Sequence, residues 1–153
     1  MATAPQLEFL YHLDIELGPP VTIGDTPRGH RLIVPVLGGR FEGPRISGTI
    51  LAGGTDALLI RPDGITELDV RATLETNDGA LIYCAYRGLA TNVPAVMPRW
   101  AQGEAISPDE YSITALPAFE TSAPQYAWLQ ESVAIAKVTL VRGGVAYDVF
   151  SVT

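Results

Sequence analysis

The sequence predicts an all-β protein built as an antiparallel barrel that is closed or nearly closed, with one or two short helices. Apolar and polar residues alternate with a period of two along much of the chain, which is typical of half-buried strands. The 15 Gly and 12 Pro residues are spread widely and indicate many short elements joined by tight turns. A barrel is favoured over an open sheet because closure removes exposed sheet edges.

The first half of the chain is dominated by strand patterns. Residues 7–17 alternate over their whole length and predict a long half-buried strand. In residues 30–37, Pro35 requires a sheet edge or a bulge, because proline cannot donate to a ladder. Residues 38–44 break the regular pattern, a further strand is predicted at 45–51, and residues 57–60 lead into the turn before the central hairpin.

The central hairpin is predicted within residues 61–88. Residues 67–75 alternate strictly, and Asn77-Asp78-Gly79 supplies turn chemistry before a return strand at 80–87. A three-residue loop with Gly79 at the bulge pairs Thr76 with Ala80. Five polar side chains would then share one face: Asp69, Arg71, Thr73, Tyr83 and Arg87. That face is either a functional site or a solvated wall.

The second half contains the helical signals. In residues 94–103 the apolar side chains fall at helical spacing and Gly103 suits the end of a short helix. Residues 111–121 are predicted to be extended, with Pro117 at an edge or bulge, and residues 126–129 form a turn of helix or a tight corner. Residues 132–141 and 146–152 form a closing antiparallel pair around Arg142-Gly143-Gly144.

Composition limits the class of protein and of partner. A chain of 153 residues with 47% hydrophobic and 18% charged residues is expected to form a single domain, residues 1–153. The net charge of −7 argues against a nucleic-acid or anionic-membrane partner, because no basic patch is available to neutralise phosphates. No apolar run approaches the roughly 18 residues of a membrane span. A small organic ligand is the expected partner.

The sequence predicts neither a metal nor a cofactor. His12 and His30 lie far apart without clustered ligands, and no dinucleotide fingerprint, P-loop, nucleophile elbow or zincin helix is present. Cys84, the single cysteine, falls on an apolar strand face and is interpreted as a small buried hydrophobe. With no hydrophobic signal segment at its start, the chain is expected to be cytoplasmic.

Three segments resemble the signature segments of the family called domain of unknown function 3237. They are GGRFEGPRISGTILAGGTD, RPDGITELDVRATLETNDGALIY and FETSAPQYAWL, and they stand in that family's order. The resemblance covers nearly the whole chain. It implies a calycin-like or allene-oxide-cyclase-like β-barrel that is often oligomeric, with no settled general activity.

The resemblance, combined with the polar face of the hairpin, nominates two groups of site residues. The candidate catalytic residues are Glu42, Asp56, Asp69, Arg71 and Tyr83. The candidate ligand-binding residues are Phe41, Thr73, Thr114, Glu120, Tyr126 and Trp128. Arg71 would stabilise an enolate or oxyanion, and Tyr83 would donate or relay a proton. Because neighbouring arginines should lower the pKa of Asp69, Glu42 or Asp56 is the better base if the pocket is apolar.

Two positions depart from the family pattern. Ala57 stands where an aromatic residue, usually Trp, is expected after Asp56, and Thr114 stands where an Arg is expected after Tyr111. Both changes would enlarge or neutralise a pocket, and they indicate a specialised or altered ligand.

Two functions from different classes fit the sequence. The first is a cofactor-independent enzyme of the isomerase, lyase or cyclase type, which uses acid–base and electrostatic assistance inside the barrel. The alternative is a lipocalin-like binding protein without catalysis, and a purely structural domain with surface ion pairs is a third possibility. The apolar faces on both sides of residues 133–141 exceed what one barrel interior can bury, which predicts a homo-oligomer.

Overall fold

The computed structural model describes all residues, 1–153, and consists of ten antiparallel strands, one α-helix and one 3₁₀ helix. The strands are β1 (Leu7–Leu17), β2 (Val21–Thr26), β3 (Gly29–Glu42), β4 (Ser47–Ile50), β5 (Thr55–Ile60), β6 (Thr66–Thr76), β7 (Leu81–Thr91), β8 (Ser112–Glu120), β9 (Ala134–Val141) and β10 (Gly144–Val152). The helices are α1 (Val93–Ala101) and the 3₁₀ helix Pro124–Glu131. The predicted β-barrel with short helices is confirmed.

The barrel closes through β3. From β1 the sheet runs through β10, β9, β8 and β7 to β6, which pairs with both β4 and β5. These two short strands follow one another along β3, and β3 pairs in turn with β1. The β2 strand is added at the outer part of β3. Eight strand positions therefore complete the circuit, and β2, which pairs only with β3, keeps a free edge.

Two glycines allow β3 to change partners midway. Its first half pairs with β2 and β5, and its second half with β1 and β4. Gly38 and Gly39 lie at this change with φ of 155° and 151°. A Cβ at Gly39 would lie 2.0 Å from the carbonyl oxygen of Asp14 on β1. The predicted break at residues 38–44 is therefore wrong up to Glu42: glycine bends the strand at a barrel corner without ending it.

The predicted register of the central hairpin is confirmed. Asp69 pairs with Arg87, Arg71 with Ala85 and Thr73 with Tyr83. The backbone N–H of Thr76 donates to the carbonyl of Ala80, and Gly79 has a φ of 86°. The structure adds β2 and β5, which were not predicted as strands from the sequence.

The barrel interior is packed at one end and open at the other. Around the β6–β7 turn the interior is filled by large side chains, among which Tyr11 meets Phe41 and Phe119 edge to face at 5.5 and 6.3 Å. Towards the start of β6 the interior is open, and residues of helix α1 line it. Neither helix is long or apolar enough to cross a membrane.

Candidate active site

The open half of the barrel holds a cavity of about 450 Å³. It is lined by 27 residues, of which 20 are hydrophobic, contributed by strands from most of the barrel and by helix α1. Its volume lies within the range of typical small-molecule sites, roughly 300–1,000 Å³. The few polar side chains in this lining are therefore the groups that could orient or transform a ligand: Asp56, Thr66, Tyr86 and Tyr147.

Three neighbouring strands place a carboxyl group and a phenol at one level at the inner end of the cavity. We call this end, formed by Asp56, Val70, Tyr86 and Tyr147, the cavity floor. Val70 on β6 pairs with Asp56 on β5 and with Tyr86 on β7. Since neighbouring strands lie about 4.8 Å apart, the backbones of Asp56 and Tyr86 are roughly 10 Å apart with Val70 between them. Val70 itself lines the cavity. Tyr147 enters the same floor from β10.

Asp56 lies at an interruption of the barrel wall. The pairing of β5 with β6 stops between Asp56/Val70 and Leu59/Glu67. There, the backbone N–H of Asp69 donates to Oδ1 of Asp56 at 3.0 Å, and the carbonyl of Ala57 accepts from the Arg31 guanidinium at 2.6 Å. One carboxyl oxygen of Asp56 thus takes the place of the backbone carbonyl that would accept from Asp69 in a regular ladder. The other oxygen makes no hydrogen bond within the protein.

Burial changes the acidity of Asp56. The residue is only 9% exposed, and desolvation by burial raises the pKa of its carboxyl group from 3.8 to about 6. The hydrogen bond from Asp69 and the charge of Arg31 oppose this shift, whereas the negative charge of Asp69 adds to it. The group therefore exchanges protons near neutral pH, as a general acid or base must.

The two tyrosines form a buried pair beside Asp56. The hydroxyl of Tyr86 donates to that of Tyr147 at 2.9 Å, and both residues are 4% exposed. Burial, together with the nearby charge of Asp56, raises the pKa of both phenols, so they remain protonated. When Tyr86 donates to Tyr147, the proton of Tyr147 is left for a ligand.

Thr66 carries the one buried side-chain polar atom without a hydrogen-bond partner. It is 1% exposed and lies four residues before Val70 on β6, near the outer end of the cavity. A buried hydroxyl without a partner costs about 1–3 kcal/mol. The cavity wall therefore includes a hydroxyl whose hydrogen-bonding capacity the protein itself does not use.

Helix α1 forms part of the cavity mouth. Met97 and Trp100 face the opening, together with Pro20 from the β1–β2 connection. The indole N–H of Trp100 donates to the carbonyl of Val141 at 2.6 Å, which ties the end of the helix to β9. Asn92, with a φ of 61°, and Gly103, with a φ of 82°, bound this segment.

The polar face of the central hairpin points away from the cavity. Arg71 donates to Asp69 at 2.6 Å on the outer wall, and the side chains of these two residues are 46% and 36% exposed. Tyr83 is also exposed, and Thr73 lies opposite it on the same outer face. The structure thus answers the question that the alternation left open, because the apolar side of β6 fills the interior.

Most of the other candidates lie at the packed end. Phe41 is buried against Tyr11, and Glu42 and Glu120 are exposed at strand ends. Tyr126 donates to Asp78 at 2.8 Å, and the guanidinium of Arg45 lies 3.8 Å from the ring centroid of Trp128. Of the eleven candidate site residues, only Asp56 lines the cavity.

The two departures from the family pattern meet on the outer surface. Ala57 and Thr114 both line a shallow groove of about 500 Å³, together with Asp69 and Arg87. Thr114 also accepts a hydrogen bond from Lys137 at 3.0 Å. The expectation that these small residues enlarge a pocket thus concerns this outer groove and not the barrel cavity.

Tyr86, Tyr147 and Thr66 were not among the site residues predicted from the sequence. The alternation along β7 could have identified Tyr86, because Tyr86 follows Ile82 and Cys84 on the buried face of that strand. A tyrosine at an inward position requires a partner for its hydroxyl, so it marks a polar spot in a core. Cys84 itself is buried, as predicted, and burial raises the pKa of its thiol to about 12. No group of three His, Cys, Asp or Glu side chains is arranged to hold a metal ion.

One relative is an enzyme by name. The hydroalkoxylation enzyme phnH of Penicillium herquei is 31% identical over 80 residues, which cover 52% of this chain and 53% of that protein. A crystal structure of an enzyme from Penicillium herquei aligns over 100% of this chain and 98% of its own with a TM-score of 0.76 and 23% identity. At that identity the likeness concerns the fold alone.

Other relatives are named by their fold or family alone. A β-barrel-like protein from Acinetobacter baumannii is 34% identical, covers 100% of this chain and 99% of its own, and superimposes with a TM-score of 0.87. A UPF0311 protein of Rhodopseudomonas palustris is 30% identical over 152 residues, 99% of each chain. The family described as "Protein of unknown function (DUF3237)" matches residues 5–152. The chain therefore belongs to the DUF3237 family.

Proposed function

We propose that the barrel cavity is the active site of a cofactor-independent enzyme that acts on a small organic molecule by proton transfer. Asp56 is the general acid–base group, and the hydroxyl of Tyr147, supported by Tyr86, is the hydrogen-bond donor that stabilises charge on a substrate oxygen. Isomerases, lyases and cyclases that act by proton transfer next to a substrate oxygen use these two roles.

The observation that carries this proposal is the placement of Asp56. Asp56 places a carboxyl group in an apolar cavity. One of its oxygens is held by a hydrogen bond from the Asp69 N–H, and the other has no hydrogen-bond partner. Burial raises its pKa to about 6, which suits a group that both takes and returns a proton near neutral pH. Glu42, the other base suggested by the sequence, lies in solvent and has no such environment.

The proton balance of such a reaction needs only one carboxyl group. The carboxylate of Asp56 takes a proton from a substrate hydroxyl as that oxygen bonds to carbon, and the carboxylic acid then returns a proton to the carbon that receives electron density. An O–H bond and a C=C π bond are lost, a C–O and a C–H bond are formed, and Asp56 ends in its starting state. Adding an alcohol across a double bond is the reaction that the word hydroalkoxylation names, and the relative so named supports this class for the chain.

The binding alternative has its own support. The cavity lining is mostly hydrophobic, as in barrels that hold apolar ligands without transforming them. In that case Asp56 and Tyr147 would only orient the ligand, and a protonation change would affect affinity without any turnover.

Proton transfer can be tested before the natural substrate is identified. The purified protein is incubated in D₂O with a panel of alkenyl phenols and enolisable ketones, and carbon-bound deuterium and ring closure are followed by NMR and mass spectrometry. Wild type is expected to accelerate exchange or cyclisation of a panel member, with a rate that titrates near the pKa of Asp56. The Asp56→Asn variant keeps the acceptor for the Asp69 N–H and is expected to lose roughly 100-fold or more of the rate.

The matched control is Asp148→Asn. Asp148 is next to Tyr147 in sequence but points outward, where it accepts from His12 at 2.7 Å. It should leave the rate unchanged. Equal rates for wild type and Asp56→Asn would show that Asp56 is not the acid–base group, and binding without any exchange would favour the binding alternative.

A further inference from the structure

The charge of the cavity restricts what can enter it. Its lining contains no Lys, Arg or His, and Asp56 is its only acidic residue. The nearest guanidinium that acts on Asp56, that of Arg31, bonds the carbonyl of Ala57 in the barrel wall and does not line the cavity. A carboxylate or phosphate ligand would therefore be desolvated beside a like charge without a cation to compensate it.

The polar groups of the cavity are concentrated at its floor. Asp56 and Tyr86 share the level of Val70, and Tyr147 bonds Tyr86 there. The mouth, in contrast, is formed by Pro20, Met97 and Trp100. From the level of Val70 to that of Thr66 the wall extends four residues, which is roughly 13 Å at the usual strand rise. The cavity is thus long, with a polar inner end and walls that are apolar apart from Thr66.

At the floor, the strongest free acceptor is a carboxylate oxygen and the one free donor is a tyrosine hydroxyl. The free oxygen of Asp56 can accept a hydrogen bond, and the Tyr147 hydroxyl, which already accepts from Tyr86, can donate one. A single hydroxyl group on a ligand satisfies both, because it donates and accepts at once. An ammonium group would bring three donors to a floor that offers one free carboxylate oxygen, and an ether or hydrocarbon would leave Asp56 unpaired.

We infer that the cavity takes an uncharged, elongated and mostly apolar molecule whose inner end carries a hydroxyl group. This inference rests on the proposed function for the location of the site, but its test measures binding alone. The hydroxyl donates to Asp56 and accepts from Tyr147, and the apolar body extends along the barrel towards Trp100. The hydroxyl that enters the proton-transfer step is then the same group that anchors the ligand.

Four probes with one body test this inference by binding alone. They are para-hexylphenol, para-hexylanisole, para-hexylbenzoate and para-hexylbenzylamine, compared by calorimetry at neutral pH. The phenol is expected to bind roughly tenfold or more tightly than the anisole, the worth of a hydrogen bond to a charged group. The benzoate and the ammonium probe are expected to bind more weakly than the phenol.

Two variants test whether the cavity floor causes the preference for the phenol over the anisole. Asp56→Asn and Tyr147→Phe should each reduce the preference for phenol over anisole several-fold, whereas Asp148→Asn should retain it. If one variant fails to fold, the other carries the comparison. Tighter binding of the benzoate or the benzylamine, equal binding of phenol and anisole, or binding of none of the probes would overturn the inference. A phenol that binds with the expected preference but undergoes no exchange supports the ligand class and counts against the enzyme.

Discussion

Tyr86 and Tyr147 join two sides of the barrel through a hydroxyl–hydroxyl hydrogen bond of 2.9 Å, and their rings meet edge to face at 5.4 Å. They lie on β7 and β10, which are not neighbours in the sheet. The pair therefore crosses the cavity floor and separates the open half of the barrel from the packed half.

Tyr86→Phe should reduce the free energy of unfolding by about 1 kcal/mol, the usual worth of a buried hydrogen bond. Urea denaturation measures this directly. Since both residues share the bond, the losses for Tyr86→Phe and Tyr147→Phe should not add in the double variant. Tyr83→Phe on the outer wall is the control and should change stability little. Fully additive losses would mean that the two hydroxyls are not coupled.

Asp56 should give the folding stability an unusual dependence on pH. Its folded pKa of about 6 lies above its ordinary value of 3.8, so the folded protein retains a proton that the unfolded chain has released. This contribution to stability is fully present below 3.8 and is lost as the pH rises through about 6. A shift of this size corresponds to roughly 3 kcal/mol.

The measurement is the difference in unfolding free energy between wild type and Asp56→Asn across that pH range. Taking this difference cancels the contributions to stability of other carboxyl groups whose pKa is shifted in the opposite direction, such as Asp63 and Asp78. Hydrogen bonds from Arg61 and from Thr76, respectively, lower the pKa of these two carboxyls, so that they stabilise the fold at higher pH. A difference that does not change with pH would mean that the carboxyl of Asp56 is not desolvated.

Thr66→Val should stabilise the protein. The hydroxyl of Thr66 is buried without a partner, so replacing it by a methyl group of similar shape removes a desolvation cost of about 1–3 kcal/mol. Thermal or urea unfolding should show the gain. Thr76→Val is the contrasting variant, because the Thr76 hydroxyl accepts from the Ala80 N–H at 2.8 Å and its loss should destabilise. A loss of stability in Thr66→Val would indicate an ordered water or another unseen partner at that hydroxyl.

Trp100→Phe should loosen helix α1. The substitution retains an aromatic ring at the cavity mouth but removes the hydrogen bond to Val141. Hydrogen exchange of the amides in Val93–Ala101 should become faster, while exchange in β6 and β7 should be unchanged. Unchanged exchange in the helix would show that the ion pairs of Arg99 with Glu104 and Glu110 hold it without the tryptophan.

The homo-oligomer predicted from the sequence has a candidate surface. An apolar patch crosses the outer faces of β1, β10 and β9 and includes Val133 directly before β9: Leu7, Phe9, Val133, Ile135, Phe150 and Val152. Phe9 is 42% exposed and Val133 is 67% exposed. Sedimentation at micromolar concentration should show an oligomer that Phe150→Lys weakens, because a charge in a desolvated patch is costly. A wild-type monomer would contradict this prediction.

The sequence predicted the fold better than the site because alternation reports burial but not the content of the interior. The strand Leu7–Leu17 and the register of the β6–β7 hairpin followed directly from period-two patterns and turn residues. The β2 strand was missed because Val21–Thr26 is short, largely exposed and broken by Gly24 at a bulge, so it carries no buried face to read.

The site was mostly misplaced for a related reason. Charges gather on outer faces, so a search for dense polar pairs leads to Asp69 and Arg71 on the wall. Asp56 was among the candidates because the family pattern pointed to it and because no opposite charge accompanied it in sequence. Its partners Tyr86 and Tyr147 lie 61 positions apart, and only closure of the barrel brings them together.

The hydrogen bond between the Asp69 N–H and Asp56 provides a built-in spectroscopic probe. An amide proton that donates to a carboxylate has a chemical shift that responds to the charge on that carboxylate. The ¹⁵N–¹H resonance of Asp69 should therefore move with pH as Asp56 titrates, and it should move again when a molecule occupies the cavity. One backbone resonance in the barrel wall would then report events in the interior, before any substrate has been identified.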